Sequence, residues 1–119
     1  VAIAQAVSVT GDIAFYPPNL MAEVAETRGL DLSSYKDGIA LMSCGDRYRT
    51  VWLEVNKKII GPLLVADCSQ RGHFEMNLNR GRIGDISREL WDELGLPEDL
   101  VEATVWLEPP PSVWRHVPA

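Results

Sequence analysis

Two carboxylates, Asp67 and Asp85, stand at short apolar runs of this chain. Asp67 closes the run Leu63-Leu64-Val65-Ala66, and Asp85 lies between Ile83 and Ile86. A pair of this kind can cleave a glycosidic bond. One carboxyl protonates the leaving oxygen, and the second carboxylate acts as base or stabiliser. The proton donor needs a raised pKa, which burial beside apolar groups supplies. Both carboxylates also have a plain structural role open to them. Asp85 lies just before Ser87 and can cap a helix by accepting backbone N–H groups. Asp67 can accept hydrogen bonds from a turn, or pair with Arg71 or Arg82.

Aromatic rings offer a second kind of chemistry, because the flat faces of sugars stack on them. Tyr16, Tyr48, Trp52 and Trp91 are the candidates. Trp91 shares a helical face with Leu90 and Leu94, so it reads as core. Trp52 points away from Val51 and Leu53 and is exposed if those two face inward. His73 and Arg82 complete a candidate substrate-binding set of Tyr16, Tyr48, Trp52, His73 and Arg82. The two histidines, His73 and His116, do not make a metal site. No cofactor is implied. Cys68 beside Asp67 has no neighbouring His to activate it, so it reads as structural. Cys44 and Cys68 each flank a strand-like segment, and a disulfide between them is the favoured reading over two buried thiols. Closing that loop would contribute roughly 3 kcal/mol. It would also imply an oxidising, secreted or extracytoplasmic address.

These residues need elements to hold them. Residues 13–16 read as a strand that Pro17-Pro18 ends. Residues 20–28 have helical apolar spacing, with Asn19 as N-cap and Gly29 as stop. Residues 39–42 read as a short buried strand. Residues 50–55 alternate strictly, and Asn56-Lys57-Lys58 turns the chain. The run 59–66 is strand-like but interrupted by Gly61-Pro62, which argues for an edge or a bulge. A polar loop spans 69–81. Residues 82–86 can bridge to a sheet, Ser87 opens a short helix, and Gly95 with Pro97 closes it. Residues 101–107 alternate as a last strand. The count is about six strands with two short inserted helices. Strands that lead into turns rather than long helices argue against a doubly wound sheet and for a small closed barrel.

The bulk properties bound the function. The chain has 119 residues, which suits one domain. With 46% hydrophobic residues it can build a core. Its net charge of -6 and pI near 4.8 repel phosphate backbones, which argues against nucleic acid and anionic membrane surfaces. No apolar stretch reaches the roughly 20 residues of a membrane span. Ala4-Gln5-Ala6 has the form of a signal cleavage site, with an ordinary first strand as the alternative. The reading is an N-terminal segment (1–10), one barrel domain (11–108) and a Pro-rich tail (109–119) that is a linker or a packed extension. A monomer is favoured.

An ordered set of short motifs resembles a known family. The set is Gly11 to Tyr16, the apolar run before Cys44, Val51-Trp52-Leu53, Gly61-Pro62, Val65-Ala66-Asp67-Cys68, Arg82-Ile83-Gly84-Asp85-Ile86-Ser87 and Leu94-Gly95. It resembles the double-psi β-barrel domains of the rare lipoprotein A type, relatives of barwin, expansin N-terminal domains and family 45 endoglucanases. The resemblance implies a mainly β fold, a six-stranded, pseudo-symmetric double-psi barrel. It also implies contact with cell-wall polysaccharide or peptidoglycan glycan. Asp67 aligns with the functional Asp of the rare lipoprotein A branch, and Asp85 with the general acid of the endoglucanase and transglycosylase branches. Met42 stands where the first of these branches carries a His. A thioether moves no proton, so the expectation is a non-catalytic wall-binding module. The alternatives are a lytic transglycosylase or glycoside hydrolase, and a structural or partner-binding barrel.

Overall fold

Strand β3 (Thr50–Val55) keeps in three dimensions the alternation of its sequence. Val51, Leu53 and Val55 are buried, while Thr50, Trp52 and Glu54 lie half-exposed on the other face. The same rule, one side chain in and the next out, builds the whole sheet. The structure is a computed structural model that describes residues 8–68 and 81–110. Within them run β1 (Ser8–Phe15), α1 (Leu20–Thr27), β2 (Asp37–Leu41), β3, β4 (Lys58–Cys68), β5 (Arg82–Ile86), α2 (Arg88–Glu93) and β6 (Val101–Trp106). A short 3-10 turn, Cys44–Asp46, links β2 to β3.

The six strands close into a barrel in the order β1-β5-β2-β4-β3-β6. The pairs β1/β5 and β2/β4 are parallel; the other four are antiparallel. Replacing each strand by the one three later in sequence returns the same ring with the same directions. That pseudo-twofold exchange of interleaved halves is the double-psi barrel. Inward side chains from all six strands form the core, among them Ile13, Ile39, Leu53, Val65, Ile86 and Val105. Helix α2 closes one end, where Trp91 is fully buried against Phe15 at a centroid distance of 4.8 Å. Its indole N–H donates to the Pro97 carbonyl at 3.0 Å. Helix α1 lies outside, packing Met21 and Ala25 on Ala40 of β2 and Ala66 of β4.

Local chemistry explains the boundaries. Ser87 caps α2, its hydroxyl accepting from the Leu90 N–H at 2.9 Å. Gly29 and Gly95 sit at φ 68° and 66° just past the two helices, the left-handed geometry a glycine adopts without a Cβ penalty. In both, the next N–H reaches back to close the last turn: Leu30 to the Ala25 carbonyl at 2.8 Å, Leu96 to Trp91 at 3.3 Å.

Some boundaries differ from the sequence reading. β1 begins at Ser8, because its first half pairs with β6 from Ser8↔Trp106 onward. β4 is not interrupted at Gly61-Pro62. Val51 pairs with Leu63 and Leu53 with Ile60, so two residues of β4 face Trp52 alone. The bulge places the proline where its missing donor costs no ladder bond. A closed barrel has no edge, which removes the other alternative. Asn19 stands at the N-cap of α1, yet its side chain makes no cap bond. Its backbone N–H donates to Glu89 instead, at 3.0 Å.

Candidate functional site

The strand pairing sets the two carboxylates in one row, two strands apart. Ala40 of β2 pairs with Asp67 on β4 and with Asp85 on β5. Asp85 pairs in turn with Ala14 on β1. Residues directly opposite one another share a face of a sheet. Four neighbouring strands therefore carry Ala14, Asp85, Ala40 and Asp67 in one row. Ile13, Ile39 and Ile86 point into the barrel, so this row faces outward. A bulge makes the alignment: Ile39 pairs with Val65 but Ala40 with Asp67, leaving Ala66 as the extra residue.

Each carboxylate is held. Asp67 accepts from the Tyr16 hydroxyl at 2.7 Å, from Arg28 at 2.8 Å and from the Cys68 N–H at 2.9 Å. Arg28 reaches it because it is the C-cap of α1, at the helix end that favours a cation. Tyr16 leaves β1 beside Ile86, its N–H donating to the Ile86 carbonyl at 2.8 Å. Its ring packs on the cluster that contains Ala40. Burial, then the bond to Asp67, raises the Tyr16 hydroxyl well above its ordinary value, so it stays a donor. Asp85 forms an ion pair with Arg82. Burial nevertheless pushes the Asp85 carboxyl up; Arg82 opposes this, and the nearby Asp67 charge adds to it. The side chains of Asp67 and Asp85 are 19% and 16% exposed, so both remain open to a ligand. Arg82 Nε is buried without an acceptor among the described residues.

Two of the plain alternatives are replaced: Arg82 pairs with Asp85 rather than Asp67, and Asp85 does not cap the helix, while Arg71 lies outside the described residues. Ser87, not Asp85, caps α2. Arg28, which the sequence reading did not single out, holds Asp67. Its only advance sign was its place just before the Gly29 stop.

The remaining candidates scatter. Tyr16 and Arg82 belong to the row. Tyr48 is exposed just before β3, where its N–H donates to the Val65 carbonyl at 2.8 Å, two residues before Asp67, and the Arg47 guanidinium lies 5.9 Å from its ring centre. Trp52 is on β3, next to β4, where it faces the Gly61-Pro62 bulge five residues before Asp67. His73, with Arg71 and Phe74, lies outside the described residues, as do Ala4-Gln5-Ala6, Trp114 and His116. Cys44 and Cys68 form a disulfide with Cα atoms 4.9 Å apart, tying the 3-10 turn to the end of β4 next to Asp67. An oxidising environment fits such a bridge. Met42 is buried and lines an apolar cavity of about 170 Å³ at that end, with Val9, Leu41, Ile83, Val105 and Leu107. The cavity contains neither carboxylate of the row. Among the described residues no three His, Cys, Asp or Glu side chains gather to hold a metal ion. Among them also, no helix is long and apolar enough to cross a membrane.

The class of protein these observations define is a disulfide-bonded, six-stranded double-psi β-barrel with an acidic row beside its pseudo-dyad. No family model, no curated protein and no solved structure matches the chain.

Proposed function

We propose that this barrel is an extracytoplasmic module that binds a wall polysaccharide or peptidoglycan glycan, in the manner of the rare lipoprotein A and expansin type of domain. The observation that carries the reading is the shared neighbour of Asp67 and Asp85, Ala40, which sets both carboxylates on one outward face. Carboxylates accept from sugar hydroxyls, and Arg28, Arg82 and Tyr16 donate to them, so the row offers both kinds of partner. The disulfide supports an address outside the cytoplasm. Met42 supplies no proton relay, which favours binding over lysis.

The test is retention on insoluble peptidoglycan, chitin and cellulose. The protein is expected to bind at least one, and Asp67→Asn to bind it more weakly. Absence of retention on all three would refute a wall-binding role.

A second reading has one specific support. The Asp85 carboxyl, pushed up by burial, is suited to donate a proton, while Asp67 is fixed two strands away. Two strand spacings, about 10 Å between backbones, suit the wide carboxyl separation that leaves room for a water. The reaction would then be hydrolysis or transglycosylation with Asp85 as acid. Soluble fragments released from wall sacculi, and lost in Asp85→Asn, would establish it; identical release by Asp85→Asn would exclude it.

A further inference from the structure

The two strands outside the row, β3 and β6, carry a second pair of large residues. Trp52 and Trp106 are direct register partners, both half-buried. Both point outward, since Val51, Leu53 and Val105 point in. Neither ring is loose. Trp106 donates its indole N–H to Glu54 Oε1 at 2.9 Å. Trp52 lies over the bulge of β4: a Cβ on Gly61 would come within 2.7 Å of its ring. The next row along the same face is polar. Glu54 pairs with Thr104, and Thr104 with Thr10, whose hydroxyl lies 2.8 Å from that of Thr104. Among the described residues α1 packs on β2 and β4 rather than on this face.

We propose that Trp52 and Trp106 form a saccharide platform, a site separate from the acidic row, for a neutral glycan chain. A pyranose ring has an apolar face of C–H bonds and a rim of hydroxyls. The C–H face is attracted to the negative face of an indole. The hydroxyls need acceptors and donors alongside. One row of rings beside one row of carboxylate and hydroxyls matches that amphipathic shape. A protein partner would instead favour a contiguous apolar centre depleted in charge. Two platforms on adjacent strands suit a chain of sugars rather than one. The net charge of -6, with Glu54 and Glu102 on this face, disfavours an anionic polysaccharide. Holding both rings in place before binding lowers the ordering cost. The inference shares with the preceding reading only the class of ligand; the acidic row plays no part in it.

The experiment uses cellohexaose and chitohexaose as probes on the full chain. Oxidation of individual tryptophans by N-bromosuccinimide is followed by peptide mapping, with and without saccharide. Trp91, fully buried, is the internal reference. At least one saccharide is expected to slow oxidation of Trp52 and Trp106 severalfold and leave Trp91 unchanged. The same shielding is expected in Asp67→Asn, which separates this site from the row. Trp52→Ala and Trp106→Ala should each weaken binding on the order of tenfold, as for aromatic hot spots. If either fails to fold, the oxidation result on the unaltered protein decides alone. The proposal is overturned if saturating saccharide shields neither ring, if shielding vanishes in Asp67→Asn, or if the rings are shielded by protein concentration without saccharide. The last result would make the face a contact between copies.

Discussion

Gly84 is where the acidic row is most easily broken without touching a carboxylate. It lies beside Asp85 and pairs with Leu41 of β2 and Ile13 of β1. A Cβ there would sit 2.5 Å from the Ala40 carbonyl oxygen and 3.2 Å from Leu41 Cδ2. The leucine can turn aside. The oxygen belongs to the backbone of the neighbouring strand and moves only if β2 and β5 part. Such overpacking costs about 1–3 kcal/mol. Against it stands a gain of about 0.4–1 kcal/mol from the less flexible unfolded chain of an alanine. The net loss expected for Gly84→Ala is about 1–2 kcal/mol. A domain of this size loses about 3–6 °C per kcal/mol, so Tm should fall by about 3–12 °C. Gly45→Ala is the control, since its Cβ would meet only Ser43 Oγ at 3.4 Å. Thermal unfolding by circular dichroism measures both. Hydrogen exchange at the Ala40 and Asp85 amides reports the strand pair directly. A Gly84→Ala protein as stable as the control, with those amides still protected, would refute the reasoning and the β2–β5 register with it.

Three other perturbations have defined outcomes. Changing Cys44 and Cys68 together to Ala should lower stability by about 3 kcal/mol in urea titration, because the bridge constrains 24 positions of the unfolded chain; a loss under about 1 kcal/mol would contradict this. Arg28→Ala and Asp67→Asn should be coupled by about 0.5–2 kcal/mol in a double-mutant cycle, the partial exposure of both side chains holding the value down; strict additivity would mean the pair contributes nothing. Asp85 binds its proton more tightly folded than unfolded, so its contribution to stability is complete below the ordinary carboxyl value of 3.8 and is lost as pH rises through the higher folded value. Asp85→Asn should remove that fall from the pH–stability curve, and an unchanged curve would show that Arg82 cancels the burial.

The sequence was most legible where a residue acts on its neighbours. The alternation of 50–55, the glycine stops at 29 and 95 and the Ser87 cap are local events, and each element stands close to its expected place. The paired cysteines followed from their positions beside strands. Long-range partners were hidden. Asp67 and Arg28 meet because α1 ends over β4, a fact of topology rather than of spacing. Ala40 carries no chemistry of its own, yet it sets the row, because it lies between two strands that are remote from it in sequence. Gly61-Pro62 reads locally as a break. Only the pairing with β3 reveals a continuous strand with two residues facing one. The same bulge seats Trp52, and its partner Trp106 comes into view only when β3 and β6 are laid side by side.

Closure of the ring has a cost for β1 and β6. β1 is hemmed between β5 and β6, and β6 between β1 and β3, so among the described residues neither the first strand nor the last is peripheral. A protease that trims into Ser8 or past Trp106 would pull out a stave with neighbours on both sides, and the others would be left with unpaired amides and carbonyls on two flanks. Partial digestion should therefore yield either intact barrel or small peptides, with few stable fragments between.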